Sequence, residues 1–378
     1  MTRHRIYFVT PVFLLGLLAL VLALAPSLVQ ASGGSFIGKF NTISQIISTV
    51  PKNGDVNPYG VAVVKRSVGK LTQGNILVSN FNNSANLQGT GTTIVQISPG
   101  GQRRLFAQIN ANTLPGACPG GVGLTTALVE LQRGWVIVGS LPTTDGSSAT
   151  AKAGCLLVLN SSGQVTETFS GSPINGPWDM TAFDAGNWAA LFVTNVLNGT
   201  VAGNGTVVNR GTVLRLDITV PQQGHGHPAI TSSTLNGSGF SQRTDPAALV
   251  IGPTGVGLGK DGTLYVANSL NNSIAAIPNA LTRNGTAHTG NDVTSGGTLN
   301  DPLGLTMAPN GNILTANGND GFLVETTPSG SQVDVQLLDH SGTPPGAGCL
   351  FGLAVVPGGT GVYFVDDCTN TLNLLHQG

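Results

Sequence analysis

Charged side chains are scarce in this chain. Asp, Glu, Lys and Arg make up 9% of its 378 residues, against about a quarter in ordinary soluble proteins, and the formal net charge is −1. The sequence has no basic cluster to neutralise phosphate groups, so nucleic acid is not an expected partner. Apolar residues still make up 40% of the chain, in short alternating runs, which argues against disorder. Asn, Thr, Ser and Gln must therefore solvate most of the surface.

Long apolar segments are absent after the N-terminus. Two arginines precede an apolar run at residues 14–25, and small residues precede a cleavage site after Ala31. We therefore expect residues 1–31 to be a signal peptide and the mature protein to be secreted, either extracellular or periplasmic. The alternative is an uncleaved membrane anchor over residues 6–25, which is long enough to span a bilayer. Residues 32–378 are expected to form a single, monomeric domain.

Closely spaced cysteine pairs are also absent, which excludes the CxxC pairs of zinc and haem sites. Four cysteines in an exported chain predict two disulfides. Of the three possible pairings we favour Cys349 with Cys368 and Cys118 with Cys155. The first of these is the stronger prediction, because apolar runs flank the turn at residues 357–361. A hairpin centred on that turn places positions 349 and 368 opposite one another.

No segment keeps the apolar period of an amphipathic helix over two turns, which excludes helical solenoids. Instead, six segments share one pattern: a Pro or Gly cluster, a short apolar run, a Gly turn, a second apolar run and a third run. They begin at Asn57, Cys118, Gly176, Gly252, Asp301 and Cys349, spaced by 61, 58, 76, 49 and 48 residues. Each unit has the size of one four-stranded blade, which cannot bury both faces alone. The sequence therefore predicts an all-β fold, a six-bladed β-propeller.

The sixth unit has no room for a fourth strand, because the chain ends three residues after Leu375. Residues 36–49 offer a strand-like segment before the first unit begins. We predict that this N-terminal strand completes the last blade and closes the ring. Closure in this way removes the open strand edges that a propeller would otherwise present.

The fourth unit carries the repeat most clearly, with Pro253, Gly255, Gly262 and Asn268 at its characteristic positions. It resembles NHL repeats, and the resemblance covers nearly all of residues 57–375. More loosely, the chain is similar to gluconolactonase-type and streptogramin-lyase-type propellers. The resemblance implies the architecture and leaves the activity open, because the same fold carries lactonases, lyases and pure binding modules.

The resemblance to these two enzyme classes can be tested by looking for their catalytic residues in this sequence. Gluconolactonase-type enzymes hold a divalent metal with a Glu on an innermost strand and Asn and Asp partners, but residues 57–64 carry no carboxylate. The chain has three Glu, at 130, 167 and 325, placed late in a strand or on an outer strand. Streptogramin-type lyases use His and Glu together, and no such pair falls on matching positions. The residues that these mechanisms require are therefore missing at the matching positions, which disfavours both mechanisms.

Asp179 breaks the repeat. The second position after Pro, or its equivalent, is glycine in five units: Gly60, Gly121, Gly255, Gly304 and Gly352. These positions begin the innermost strands of a propeller, so their side chains can approach the channel mouth. Asp179 is therefore the candidate catalytic residue. The alternative is an aspartate that forms a salt bridge or caps a turn.

A second polar set recurs where the second strands end. Its members are Asn80, Asn195, Asn268, Asn317 and Asp367. One interpretation is a polar ring that binds a metal or a sugar. We favour the other, in which each side chain hydrogen-bonds its own turn, because a residue that recurs in nearly every blade is usually structural.

Three further motifs have structural explanations. Glycines 257, 259 and 262 match a dinucleotide motif by letters, but a strand follows where a helix is required, so we predict a hairpin turn. Residues 317–325 lack the offsets of a calcium loop. His225 and His227 lie in a polar loop with no third ligand nearby. We expect no cofactor and no dedicated metal site, with a bound divalent ion such as calcium as the alternative.

Six long insertions indicate where recognition takes place. We expect them in or near the second-to-third strand and blade-to-blade connections, which share one face of a propeller: residues 84–92, 103–117, 141–153, 199–211, 221–251 and 278–300. The leading hypothesis is a secreted binding module that recognises a small molecule, glycan or protein through this loop-rich face. The alternative is a metal-dependent hydrolase or lyase with its site at the central channel near Asp179.

Overall fold

The computed structural model describes residues 1–2, 34–246 and 248–378. The predicted signal peptide and its membrane-anchor alternative fall almost entirely outside these residues. Ser35–Gly378 form one compact unit. In the described part of the chain, no helix has the length and hydrophobicity needed to cross a bilayer.

Six antiparallel sheets make up the fold. In five of them the strands follow the chain order, and the sixth adds a strand from the N-terminal part of the chain. The first three sheets are blade 1 with β2 (Val56–Val63), β3 (Ile76–Asn82), β4 (Thr93–Ile97) and β5 (Arg103–Gln108); blade 2 with β6 (Leu124–Leu131), β7 (Trp135–Ser140), β8 (Cys155–Leu159) and β9 (Val165–Phe169); and blade 3 with β10 (Pro177–Asp184), β11 (Trp188–Asn195), β12 (Val208–Thr219), β13 (Ala229–Asp245) and β14 (Leu249–Ile251). The others are blade 4 with β15 (Pro253–Leu258), β16 (Leu264–Asn268), β17 (Ser273–Ile277) and β18 (Asn291–Ser295); blade 5 with β19 (Pro302–Met307), β20 (Ile313–Asn317), β21 (Phe322–Thr326) and β22 (Gln332–Leu337); and blade 6 with β23 (Leu350–Val355), β24 (Gly361–Asp366), β25 (Thr371–His376) and β1 (Thr42–Ser48). Short helical turns occur at Ile37–Lys39, Ala111–Thr113, Ser148–Thr150, Thr200–Gly203 and Ser269–Asn271.

The first strand of each blade is innermost, and each innermost strand contacts the next around the ring. The contact between β23 and β2 joins the last blade to the first. β1 pairs with β25 and supplies the outer strand of blade 6, with Thr42 opposite His376. The structure is therefore a six-bladed β-propeller closed by its N-terminal strand, as the repeat predicts.

The middle strands carry near-continuous apolar runs because neighbouring blades cover both of their faces. β3, β8 and β16 are buried along their whole length, whereas the outer strands β18 and β22 are largely exposed or half-buried. This arrangement removes from water the apolar surface that a single small sheet would leave exposed. The hydrophobic effect therefore holds the blades against one another.

Glycine recurs on the innermost strands because the blades approach closely there. A Cβ atom on Gly304 would lie 1.8 Å from the carbonyl oxygen of Phe351, and one on Gly352 would lie 2.1 Å from that of Tyr59. Both contacts run from one blade to the next, so a side chain at either position would force the blades apart. Gly121 was wrongly aligned with these glycines, because it precedes β6, which begins at Leu124.

Some of the predicted insertions differ from the expectation, and in the insertion at 103–117 the first six residues form β5. Residues 221–251 are mostly strand, because β13 runs for 17 residues from Ala229 to Asp245 and pairs along the extended β12. Residues 278–290 join the third strand of blade 4 to its fourth, as residues 220–228 do in blade 3. Both connections therefore lie on the opposite face from the second-to-third strand and blade-to-blade loops. Alternating strand direction places first-to-second and third-to-fourth connections at one end of a blade and the remaining connections at the other.

Both disulfides have the pairing that the sequence favours. Cys118 is bonded to Cys155 and Cys349 to Cys368, with Cα atoms 5.2 Å and 5.0 Å apart. The second bridge joins the segment before β23 to the turn after β24, within the hairpin inferred from the sequence. Two disulfides indicate maturation in an oxidising environment, extracellular or periplasmic.

Removing a disulfide tests its contribution to stability. Replacing both Cys349 and Cys368 with serine should lower the free energy of unfolding by about 3 kcal/mol, because the unfolded chain loses a cross-link. The bridge spans a sequence separation of 19. The same change at Cys118 and Cys155, with a separation of 37, should cost slightly more. Urea unfolding of both variants measures the effect, and unchanged midpoints would contradict it.

Candidate functional site

A cavity of about 640 Å³ lies on the propeller axis and is lined by the innermost strands of all six blades. Residues from the third position onward in each strand form its wall. Val64, Lys65, Gln73, Gly74 and Pro357 from first-to-second strand connections complete it. The cavity therefore opens at the end that carries these connections, which we call the cavity face. The loop-rich face predicted from the sequence is the opposite one.

An aromatic cluster closes the other end of the channel. Tyr59 stacks on Phe351 with ring centroids 3.8 Å apart and on Phe81 at 4.4 Å, and Trp178 lies at 6.0 Å. These four rings are all buried. We call them the aromatic plug. Three of them, Tyr59, Trp178 and Phe351, lie in the first half of innermost strands, each directly before the repeat position that carries glycine or Asp179. Their rings seal the end of the channel at which these strands begin.

The structure places Asp179 on β10, in the cavity wall. One carboxylate oxygen accepts a hydrogen bond from the backbone N–H of Val256 at 2.9 Å, across the interface between blades 3 and 4. The other accepts from the N–H of Met180 at 2.8 Å. Burial raises the pKa of Asp179 to about 7, and these two hydrogen bonds oppose the increase. Asp179 therefore occupies the usual glycine position and both joins two blades and faces the channel.

Glu130 is a second carboxyl group in the cavity wall, and it was not recognised from the sequence. It lies on β6 and is 2% exposed. Its Oε2 atom accepts a hydrogen bond from the backbone N–H of Lys65 at 3.0 Å, whereas Oε1 has no partner among the described residues. Burial raises the pKa of Glu130 to about 7, against the lowering effect of Lys65.

The pH dependence of stability should report these raised pKa values. Asp179 holds a proton in the folded state that the unfolded chain releases from about pH 4 upwards, so its stabilising contribution is lost as pH rises through about 7. The pKa of Glu130 is also raised, so its contribution to stability changes with pH in the same direction. Asp179→Asn should therefore flatten the decline in unfolding free energy between about pH 4 and 7, by at most about 1.4 kcal/mol per pH unit. Asp292→Asn, on the exposed β18, is the control. Identical pH slopes in all three proteins would contradict the prediction.

Three of the recurring asparagines, Asn80, Asn195 and Asn317, make hydrogen bonds within the protein. Asn195 Oδ1 accepts from the N–H of Asn175 at 3.0 Å, and Asn317 Oδ1 accepts from that of Asn300 at 3.2 Å. Asn80 Nδ2 donates to the carbonyl of Thr49 and to the hydroxyl of Thr93. Asn268 is also buried. These contacts reach the segments that lead into the innermost strands, which supports the structural interpretation over a ligand-binding ring.

In blade 6 the equivalent residue is Asp366, one position before the predicted Asp367. Asp366 pairs with Leu350 as Asn317 pairs with Pro302. Asp367 instead lies near Tyr59, and burial raises its pKa well above the usual value, with a further increase from Asp366 and Asp339. The sequence could not distinguish two adjacent aspartates, because only the strand register decides which one pairs.

A cluster of possible metal ligands lies among residues that do not line the cavity. Across residues 34–246 and 248–378, the one cluster of at least three possible ligands comprises Asp339, Asp366 and the disulfide-bonded Cys349 and Cys368. It does not include Asp179 or Glu130. His225 and His227 lie in the connection between β12 and β13 and do not belong to a cluster either.

No protein-family model and no curated protein sequence matches this chain. Solved structures do match. They include a gluconolactonase from Xanthomonas campestris (11% identity, TM-score 0.54, 90% of each chain covered), the calcium-binding protein regucalcin from Agrobacterium tumefaciens (12%, 0.53, 87% of this chain and 94% of that one) and the PQQ-bound aldose sugar dehydrogenase from Streptomyces coelicolor (16%, 0.52, 89% and 98%). At these identities the similarity establishes the fold alone. The NHL-repeat assignment stays a prediction.

Proposed function

We propose that this protein is a secreted binding module that holds a small, largely apolar molecule in the central cavity. The observation that carries the proposal is the shape and chemistry of that cavity. It has the volume of a typical small-molecule site, about 300–1,000 Å³. Most of its lining side chains are aliphatic, such as Leu128, Val256, Leu305 and Leu353, and polar side chains including Glu130 and Asp179 lie among them. An apolar pocket with a few fixed polar groups is the usual form of such a site.

The two ends of the channel support the same function. The aromatic plug seals one end, so a molecule that enters from the cavity face is enclosed on all other sides. Phe183 and Trp188 lie beside the turn between β10 and β11 on the cavity face, 38% and 42% exposed, with ring centroids 5.5 Å apart. Exposed aromatic side chains are common contact residues at binding surfaces. The cavity face is therefore the recognition surface that we favour.

Filling the cavity tests the proposal. Ala182 and Ala354 line it, and replacing either with tryptophan should weaken binding of hexanol, a small apolar probe, at least tenfold in calorimetric titration. Ala229→Trp on the exposed part of β13 is the matched control and should bind hexanol normally. If hexanol does not bind the wild type, or binds all three variants equally, the cavity is not the site. The predicted loop-rich face would then become the surface to examine.

A hydrolase or lyase centred near Asp179 is the second candidate. The raised pKa of Asp179 favours it, because a carboxyl group that titrates near neutral pH can act as a general acid or base. Turnover of lactones or phosphotriesters that disappears in Asp179→Ala would support this candidate. Metal analysis of wild type and Asp179→Ala distinguishes its metal-dependent form, which requires stoichiometric metal that is lost on substitution.

A further inference from the structure

The unpartnered oxygen of Glu130 is the feature of the cavity that the apolar wall does not explain. Glu130 is 2% exposed, lines the cavity and leaves Oε1 without a hydrogen-bond donor among the described residues. A buried polar group without a partner costs about 1–3 kcal/mol, and more when it is charged. Native proteins therefore rarely leave one unsatisfied unless water or a ligand supplies the partner. The missing donor points to a ligand group.

The charge of the cavity wall indicates which kind of ligand group would donate to Glu130. Among the described lining residues, Lys65, Glu130 and Asp179 are the ionisable ones. Two acids and one base give the cavity a net charge of −1 when all three are ionised. One added positive charge balances it, and a group that also donates hydrogen bonds satisfies Oε1 of Glu130. A protonated amine has both properties, whereas a hydroxyl has only the second.

We propose that the cavity binds an organic cation, a molecule with an apolar body and one protonated amine, and that Glu130 is the side chain that holds the amine. Asp179 lies on the next innermost strand, β10, and adds a second negative charge. Each of its oxygens accepts one backbone hydrogen bond and retains a lone pair for a ligand. This inference rests on the proposed function, because it names the ligand class for the same cavity.

Binding should also depend on pH. Burial raises the pKa of both Glu130 and Asp179 to about 7, so both carboxyl groups gain charge as pH rises through neutrality. The charged neighbours of Glu130 are Lys65, which lowers its pKa, and Asp184 at the end of β10, which raises it. For Asp179, only the hydrogen bonds from the N–H groups of Val256 and Met180 oppose the increase in pKa. A cation should therefore bind more tightly at about pH 8 than at about pH 5.5.

Three probes of equal length separate the charge from the apolar contribution: hexylamine, hexanol and hexanoate. We expect calorimetric titration of the whole protein at about pH 8 to show hexylamine bound at least tenfold more tightly than hexanol, and hexanoate least tightly. In Glu130→Gln the preference for hexylamine should fall about tenfold while hexanol affinity changes less than about twofold. Glu167→Gln, on the outer strand β9, is the matched control and should behave as wild type.

The outcomes distinguish this inference from the proposed function. If hexanol binds and is lost in Ala182→Trp but hexylamine binds no better, the cavity is a binding site and the cation inference is overturned. If neither probe binds, both proposals are overturned. A preference for hexylamine that survives in Glu130→Gln would show that Glu130 does not hold the amine and would overturn the inference. Circular dichroism of each variant identifies those that fail to fold. If a variant does not fold, the pH dependence of binding to the wild type replaces it. A preference for hexylamine over hexanol that grows between about pH 5.5 and 8 supports the inference, and a preference that stays constant overturns it.

Discussion

Replacing Glu325 with alanine is expected to lower the free energy of unfolding by about 4 kcal/mol, the largest loss for any single polar group in this propeller. Its carboxylate accepts hydrogen bonds from five groups: the backbone N–H of Phe36 and Ile37, the hydroxyl of Ser35, and the side-chain amides of Asn310 and Asn312. Glu325 is completely buried on β21, the third strand of blade 5. Alanine would remove the acceptor of the buried donors on Phe36, Ile37 and Asn312.

The position of these donors explains why the loss should exceed that of an ordinary hydrogen bond. Phe36, Ile37 and Phe40 pack against Leu314 and Leu323 in one apolar cluster, and the chain then continues directly into β1. Glu325 therefore fixes the segment that precedes the ring-closing strand. When its carboxylate is removed, the turn at Ile37–Lys39 should detach and weaken the pairing of β1 with β25. Limited proteolysis near residue 40 should become faster in parallel.

The controls for Glu325 separate charge from shape. Glu325→Gln keeps one acceptor oxygen and should lose about half as much stability, whereas Glu167→Ala on the partly exposed β9 should lose less than about 1 kcal/mol. Burial alone would raise the pKa of Glu325, but the hydrogen bonds lower it overall. Its contribution is therefore present above the pKa of the unfolded chain and is lost as pH falls through the lower folded value. Wild type and Glu325→Gln should converge in acid, and a loss below about 1 kcal/mol for Glu325→Ala would contradict the account.

The architecture was predictable because every blade meets the same packing constraints and shows the same residue pattern. Glycine recurs where neighbouring backbones approach, and apolar runs recur where blades cover both faces of a strand. Gly304 and Gly352 illustrate the first constraint and the fully buried β8 and β16 the second. The closing strand was predicted from the strand-like segment at residues 36–49, which precedes the first repeat unit. These signals are local and survive in one sequence.

The candidate site was only half predictable. Asp179 was found because it replaces a glycine within an otherwise regular repeat. Glu130 was missed because the cluster at Cys118 was taken as the start of the second innermost strand, which in fact begins at Leu124. That shift places Glu130 near the end of an innermost strand, on the cavity wall. Aligning Gly139 and Ser140 with Thr194 and Asn195 would have corrected it.

The end at which the cavity opens could not be read from the sequence. Tyr59, Trp178 and Phe351 belong to different blades, separated by more than a hundred residues along the chain, and no local pattern shows that their rings meet. Each looks like an ordinary core residue at the start of a strand. Only the closed ring brings them together as a plug and leaves the channel open at the opposite face.

Tyr59→Ala is the second large effect that we expect, a loss of about 4 kcal/mol in the free energy of unfolding. Tyr59 is 1% exposed and its ring lies between those of Phe351 and Phe81. Truncation removes both stacking contacts and leaves a cavity on the propeller axis, where blades fixed around a ring cannot collapse to fill it. Tyr59→Phe keeps the ring and should lose less than about 1 kcal/mol. Urea unfolding of the two variants measures the difference.

The same pair of variants connects the plug to ligand binding. If the plug seals the channel, Tyr59→Ala joins the cavity to the loop-rich face and gives a bound molecule a second exit, whereas Tyr59→Phe leaves the seal intact. Hexanol should therefore dissociate faster from Tyr59→Ala than from wild type, and at the wild-type rate from Tyr59→Phe. A Tyr59→Ala protein as stable as wild type would show that the ring does not support the core. Equal dissociation rates in a destabilised but folded Tyr59→Ala would show that the plug is structural and does not enclose the ligand.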